Sequence, residues 1–305
     1  FTLGGAVLLS VLFTASSAAT FALIPVLASG LGTTLARANS LLELARSLGM
    51  LAGPVAGGVL VGWIGSRNAL FADALSFALL ALVVLASGLR RKPHRGDQEE
   101  QTLFADYLPL LRNRRLMVVT GALSFEVFAT AIADVAFVFI VMVTMGSGPT
   151  AFGVLTALWA GGMLIGAALA QRAMGHRIGQ TAFGTAAVMG ATMLLIGLAP
   201  IGFAIVAVAF ILGGGANSIH NVAVRTLLQS ECPPADHGKV AAIYGAVTRT
   251  SVIGGYIAGG LFVPDNAPTA YLVGGLLGVG AGLIGWRMFN GRWRAAPVKA
   301  STRWD

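Results

Sequence analysis

Seven ionisable side chains fall inside, or at the edge of, runs that are otherwise apolar: Glu43, Arg46, Asp73, Glu126, Asp134, His220 and Arg249. A charged side chain at the centre of a bilayer costs at least about 2.5–3.5 kcal/mol on insertion scales, so each calls for a reason. Glu126 and Asp134 share one apolar run, eight residues apart. On an α-helix that spacing leaves them about 80° apart around the axis and about 12 Å apart along it. Both can therefore face one cavity at different depths. A carboxylate removed from water takes up a proton more readily, which suits a proton carrier. Phe125, Phe128, Phe137 and Phe139 flank the pair and offer a substrate an apolar wall. The competing reading is an ion pair between helices, with Arg249 as the partner.

The remaining candidates are weaker. His220 stands beside Asn217, Ser218 and Asn221 in a polar patch that either carries protons or hydrogen-bonds a neighbouring helix. Trp159 falls in mid-run, where an indole stacks on an aromatic substrate or simply packs. Glu43 and Arg46 are three residues apart, close enough on a helix to pair with one another. Asp73 reads as a structural bond to a neighbouring helix.

The composition says what these residues are embedded in. Of 305 residues, 56% are hydrophobic and 10% charged, against about 45–50% and about 25% in soluble domains. That excludes an ordinary cytosolic enzyme. The 41 glycines suit membrane helices, whose backbones approach closely. The net charge of +8 comes from cations in short gaps between apolar runs, a pattern of membrane orientation rather than nucleic-acid binding. No G-x-x-x-x-G-K-[ST] loop for ATP is present, and Gly213-Gly214-Gly215 lies within an apolar run. The four histidines are scattered and Cys232 is the single cysteine, so no metal-ligand set, no disulfide and no resident cofactor is expected. Cys232 itself reads as an inert small residue on the cytoplasmic side.

Runs long enough to cross a bilayer, about 20 residues, occur at 5–28, 39–63, 67–88, 116–144, 150–172, 180–198, 201–224, 239–262 and 268–288. The breaks at Gly65-Ser66-Arg67, Gly146-Ser147-Gly148-Pro149, Ala199-Pro200 and Pro264-Asp265-Asn266 are turn sequences. Strand-like alternation is absent. The expectation is an all-α, polytopic membrane bundle of nine spans. Apart from Arg67 and Arg249, the Lys and Arg residues fall in or beside alternate gaps. Those gaps are then cytoplasmic, with the C-terminus inside. Residues 89–115 read as a cytoplasmic linker whose second part, Phe104 to Leu116, suits a helix on the inner membrane surface. The linker separates 1–88 from a bundle at 116–288, and 289–305 forms a basic cytoplasmic tail.

The two bundles share a repeat. Gly53-Pro54-Val55-Ala56-Gly57-Gly58-Val59-Leu60 is echoed 202 residues on by Gly255-Tyr256-Ile257-Ala258-Gly259-Gly260-Leu261-Phe262, and Arg37 by Lys239. Parallel six-helix repeats are a transporter architecture. Counterparts of the runs from 116 to 198 would precede residue 1, so a parent of twelve helices lacking its first three here is expected, with a genuine nine-span protein as the alternative.

Gly49-x3-Gly53-Pro54-x2-Gly57-Gly58 is similar to the glycine-proline motif of drug–proton antiporters, and the chain resembles the major facilitator superfamily from its fourth helix onward. Two stretches resemble the branch of enterobactin exporters and macrolide efflux pumps: Arg37-Ala38-Asn39-Ser40-Leu41-Leu42 with Asp73-Ala74-Leu75-Ser76-Phe77, and Asn221-x3-Arg225 with Gln229 and Lys239. The resemblance implies secondary active transport in the cell membrane. It points to proton-coupled efflux of a hydrophobic or amphipathic small molecule of the drug or siderophore class. An uptake carrier of the same fold, or a truncated chain without transport, are the alternatives. It also implies that Glu126 and Asp134 lie on the cavity-lining seventh family helix. Gly49, Gly53, Pro54, Gly57 and Gly58 would then act in conformational change or in close helix packing.

Overall fold

The computed structural model describes residues 16–17, 19–86, 107–174, 177–198 and 202–290. All regular structure among them is helical. In chain order the helices are α1 (Ala19–Gly30), α2 (Leu35–Ala86), α3 (Leu108–Arg112), α4 (Arg114–Phe139), α5 (Pro149–Met174), α6 (Ile178–Leu198), α7 (Phe203–Ser230), α8 (His237–Gly260) and α9 (Ala267–Asn290). Most of the expected linker and the basic tail lie outside the described residues. What is described of the expected surface helix is α3 alone, one turn long, with Leu108 and Leu111 exposed and Leu110 buried.

Local sequence sets the boundaries. Asn113 caps α4, its side-chain oxygen accepting from the backbone N–H groups of Arg115 and Leu116 at 3.1 and 3.2 Å. At its far end α4 runs on through a π-helical turn, Ile140–Thr144. The expected break at Gly65 is present, but as a bend in α2. Val59–Gly65 and Arg67–Val83 meet there at 119°. Gly65 takes φ 77°, a conformation that a side chain would oppose.

Among the described residues five helices are long and apolar enough to cross a bilayer: α4 with its π turn, α5, α6, α7 and α9. They match five of the predicted runs, because a lipid-embedded segment must satisfy its own backbone hydrogen bonds. The runs at 39–63 and 67–88 fall on either side of the bend in α2, where Val59–Gly65 and Arg67–Val83 count as one further span if taken together. The run at 239–262 is helical as α8 but falls outside that group of five, and 5–28 lies partly beyond the described residues. Residues such as Leu276, Ile284, Ile165 and Leu212 are exposed on the outside of the bundle, as a lipid-facing surface requires.

Glycine seams hold the second bundle together. A Cβ at Gly162 or Gly166 of α5 would run into the carbonyl oxygens of Ile211 and Gly215 of α7, and Gly255 and Gly259 of α8 meet Phe128 and Ile132 of α4. Such small-residue faces let helices approach without a hydrophobic driving force. Gly213 and Gly214 seat against Trp159 of α5, so the glycine triplet of α7 is a packing device. The glycine face of α2 differs from its echo in α8. Around Gly49, Gly53 and Gly57 no described atom lies within 4 Å of a Cβ position, so the expected close approach is absent here.

Candidate functional site

Three polar features mark the bundle, and α7 contributes to each of them. The first ties the start of α2 to the end of α7. Asn39 donates from Nδ2 to Thr226 Oγ1 at 3.1 Å and to Gln229 Oε1 at 2.7 Å. Gln229 Nε2 donates to the carbonyl of Phe21 in α1 at 2.9 Å. One turn along, Glu43 is 1% exposed; Arg225 Nη1 lies 2.9 Å from its Oε2, and Asn221 Nδ2 donates to Oε1 at 3.1 Å. The expected local pair of Glu43 with Arg46 does not form. Arg46 is exposed, whereas a carboxylate this deep needs a partner reaching into the same interior. At the same end Arg115 pairs with Glu231 at 2.9 Å and stacks over Phe289.

Deeper in the bundle, Glu126 of α4 meets His220 of α7. They are 2% and 3% exposed, and His220 Nε2 lies 3.7 Å from Glu126 Oε2. His220 Nδ1 is 3.0 Å from the carbonyl of Ala182. A carbonyl only accepts, so Nδ1 carries the proton. Nε2 of a neutral ring then offers a lone pair to a carboxylate that also accepts from Thr130 Oγ1 at 2.7 Å. At 3.7 Å the two groups are in ion-pair range but beyond hydrogen-bond distance, and among the described residues His220 Nε2 has no hydrogen-bond partner.

Two turns further along α4, Asp134 enters a different environment. It projects into a cavity of about 360 Å³ lined in part by Phe137 of α4, Phe152 and Trp159 of α5, Phe210 of α7, Tyr256 of α8 and Tyr271 of α9. Phe137 stacks on Phe152 with centroids 4.6 Å apart and lies 4.7 Å from Phe210, which meets Trp159 edge-on at 5.6 Å. Among the described residues Asp134 makes no hydrogen bond or ion pair, so the pairing with Arg249 is not observed. Arg249 is exposed on α8 and does not line this cavity.

The expected wall of phenylalanines is therefore only one-quarter present. Phe137 faces the cavity, Phe128 underlies Gly254 and Gly255, and Phe139 packs in the apolar core. Phe125 turns to an outer groove of about 530 Å³ between α4 and α9, which holds none of the candidate residues. Trp159 both lines the cavity and packs against Gly213 and Gly214. Asn217 is half-buried and accepts from Asn221 Nδ2 at 3.1 Å, linking the patch around His220 to Glu43. Asp73 is exposed. Sequence reasoning left Asn39, Arg225 and Gln229 outside the site. Their signal was a four-residue polar spacing on two helices.

No curated protein matches the chain. A sequence profile of the Major Facilitator Superfamily matches residues 1–255, taking in both polar clusters and the Asp134 cavity wall as far as Gly255. A bundle of apolar helices enclosing a part-polar cavity is what a carrier of small molecules needs, and on that match the chain belongs to the major facilitator superfamily, whose members are multi-pass membrane transporters.

Proposed function

We propose that the protein exports a hydrophobic or amphipathic small molecule in exchange for protons. The observation that carries this reading is Asp134, a carboxylate that lines an aromatic cavity and makes no hydrogen bond or ion pair among the described residues. A carrier that alternates access needs a group whose charge changes between the two faces. Asp134 is that group, and the buried Glu126–His220 contact lies two turns away on the same helix. The Asn39–Gln229 and Glu43–Arg225 contacts close the end of the bundle where α4 begins and α7 ends. With that end cytoplasmic, as the cations argue, the cluster is the inner gate.

Transport into inverted vesicles under an imposed proton gradient tests the mechanism. Asp134→Asn keeps the shape and removes the titration, so gradient-driven transport should fall by at least tenfold, with Glu126→Gln giving a smaller loss. Wild-type rates in both variants would return the two carboxylates to a structural role.

The proposed topology, nine spans with Gln98 inside and Ser147 outside, is tested by cysteine labelling. An impermeant maleimide should label a Ser147→Cys variant in intact cells and miss a Gln98→Cys variant. The opposite result inverts the topology. Native Cys232 should stay silent. It is buried, its thiol hydrogen-bonds the Leu228 carbonyl, and burial, with Asp236 and Glu231 nearby, pushes its pKa up to about 12.

A further inference from the structure

We propose that the outer groove between α4 and α9 holds an anionic phospholipid, with one acyl chain along the groove and the phosphate at Arg114. The groove shares no residue with the Asp134 cavity, so this site does not depend on what that cavity transports.

Two helix faces build the groove. Its lining residues recur in alternating steps of three and one, on α4 from Arg114 to Phe125 and on α9 from Leu276 to Met288. That spacing keeps each set on one face of its helix. Gly285 lies against Ala122 and Gly274 against Ala129, so the helices run antiparallel, and Arg114 and Met288 lie toward the same end. Eleven or twelve residues at 1.5 Å each make a groove of about 16–18 Å, roughly one leaflet of a hydrocarbon core about 30 Å thick.

The protein does not fill this space itself. A Cβ at Gly121 or Gly280 would meet nothing within 4 Å, unlike the glycines of the interior seams, which meet backbone. Phe125, Leu276, Ile284 and Met288 are exposed along it, and its volume is about 530 Å³.

Its charge sits at one end. Arg114 is the one charged side chain in the lining; it is exposed, and among the described residues it makes no ion pair. Arg112, two residues before it, and Arg287, beside Met288, are exposed as well, whereas Arg115 is already engaged by Glu231. A long apolar groove with cations at a single end complements a molecule with an anionic head and a long apolar chain. A helix of a second copy would cover the groove but bring no anion to Arg114, and a soluble anion would leave the groove empty. With this end cytoplasmic, the head lies in the inner leaflet, where basic sites between helices attract anionic lipids.

Native mass spectrometry of the full chain in mild detergent tests this, with phosphatidylglycerol and phosphatidylcholine of identical acyl chains as probes. Wild type should retain one phosphatidylglycerol and bind it about fivefold more tightly than phosphatidylcholine, which is what one arginine near an anionic headgroup is worth. Arg114→Gln should bring the two lipids within about twofold of each other. Gly121→Leu and Gly280→Leu, whose side chains enter open space, should melt as wild type does and retain neither lipid. Arg172→Gln, at an exposed cation ending α5, should change nothing. Equal affinity for the two lipids in wild type, a preference that survives Arg114→Gln, or undiminished retention in a folded leucine variant overturns the assignment. So does a wild-type dimer that the leucine variants dissociate with no lipid lost, since the groove is then a contact between copies. The arginine variant decides the matter even if both leucine variants fail to fold.

Discussion

Arg225→Ala should leave far less folded protein than removing both charges at once. Glu43 is 1% exposed and takes its main stabilisation from the guanidinium 2.9 Å away. Truncating the arginine strands a carboxylate in the interior, a change that typically costs about 3–5 kcal/mol. In the double variant Glu43→Gln/Arg225→Gln no charge is stranded, and the amide oxygen introduced at position 43 can still accept from Asn221. Much of the loss should therefore be recovered, giving a coupling of about 2 kcal/mol or more between neighbours that share a network. Thermal stability and monomer yield in detergent, followed by fluorescence-detected gel filtration, measure it. A single variant as stable as wild type, or a double variant worse than the single, would mean that the pair is solvated.

The second large effect belongs to the seam between α5 and α7. Gly166→Leu places a side chain where the Gly215 carbonyl already sits, whereas Gly161→Leu on the same helix meets open space. Overpacking usually costs about 1–3 kcal/mol. A collision with backbone, which cannot rotate away, should sit at or above the top of that range. The Gly166 variant should aggregate or lose most of its monomer peak, while the Gly161 variant should stay within about 0.5 kcal/mol of wild type. Equal behaviour of the two leucines would show that α5 and α7 are not in close contact.

The helices were legible in the sequence because a lipid-facing segment has few ways to satisfy its backbone, so length and apolarity mark five of them directly. The carboxylates were legible as a pair on one helix but not as two environments. An offset of about 80° is enough to turn Glu126 toward His220 and Asp134 toward the aromatic cavity. Proximity in sequence puts the aromatic wall around Asp134 on α4, yet five of its six rings come from α5, α7, α8 and α9. Local spacing also misled at Glu43. The i, i+3 rule pairs it with Arg46, yet burial selects Arg225, 182 residues away. The closing cluster did leave a trace, in the four-residue steps Asn39, Glu43, Ser47 and Asn217, Asn221, Arg225, Gln229. Two polar stripes can be read from one chain, but which stripe meets which is decided by packing.

The same cluster bears on how the chain is made. Asn39 and Glu43 find their partners 187, 190 and 178 residues later in the sequence. At a synthesis rate of about 5–20 residues per second, that is a wait on the order of ten to forty seconds. Throughout it the first limb of α2 has left the ribosome while α7 has not. A helix carrying Asn39, Glu43 and Ser47 on one face is a poor candidate for lipid during that interval. It must linger in the insertion machinery, or beside a membrane chaperone, until α7 arrives. Ribosome stalling placed just before Asn217 should therefore trap α2 in crosslinking reach of the translocon, and stalling well beyond Gln229 should release it.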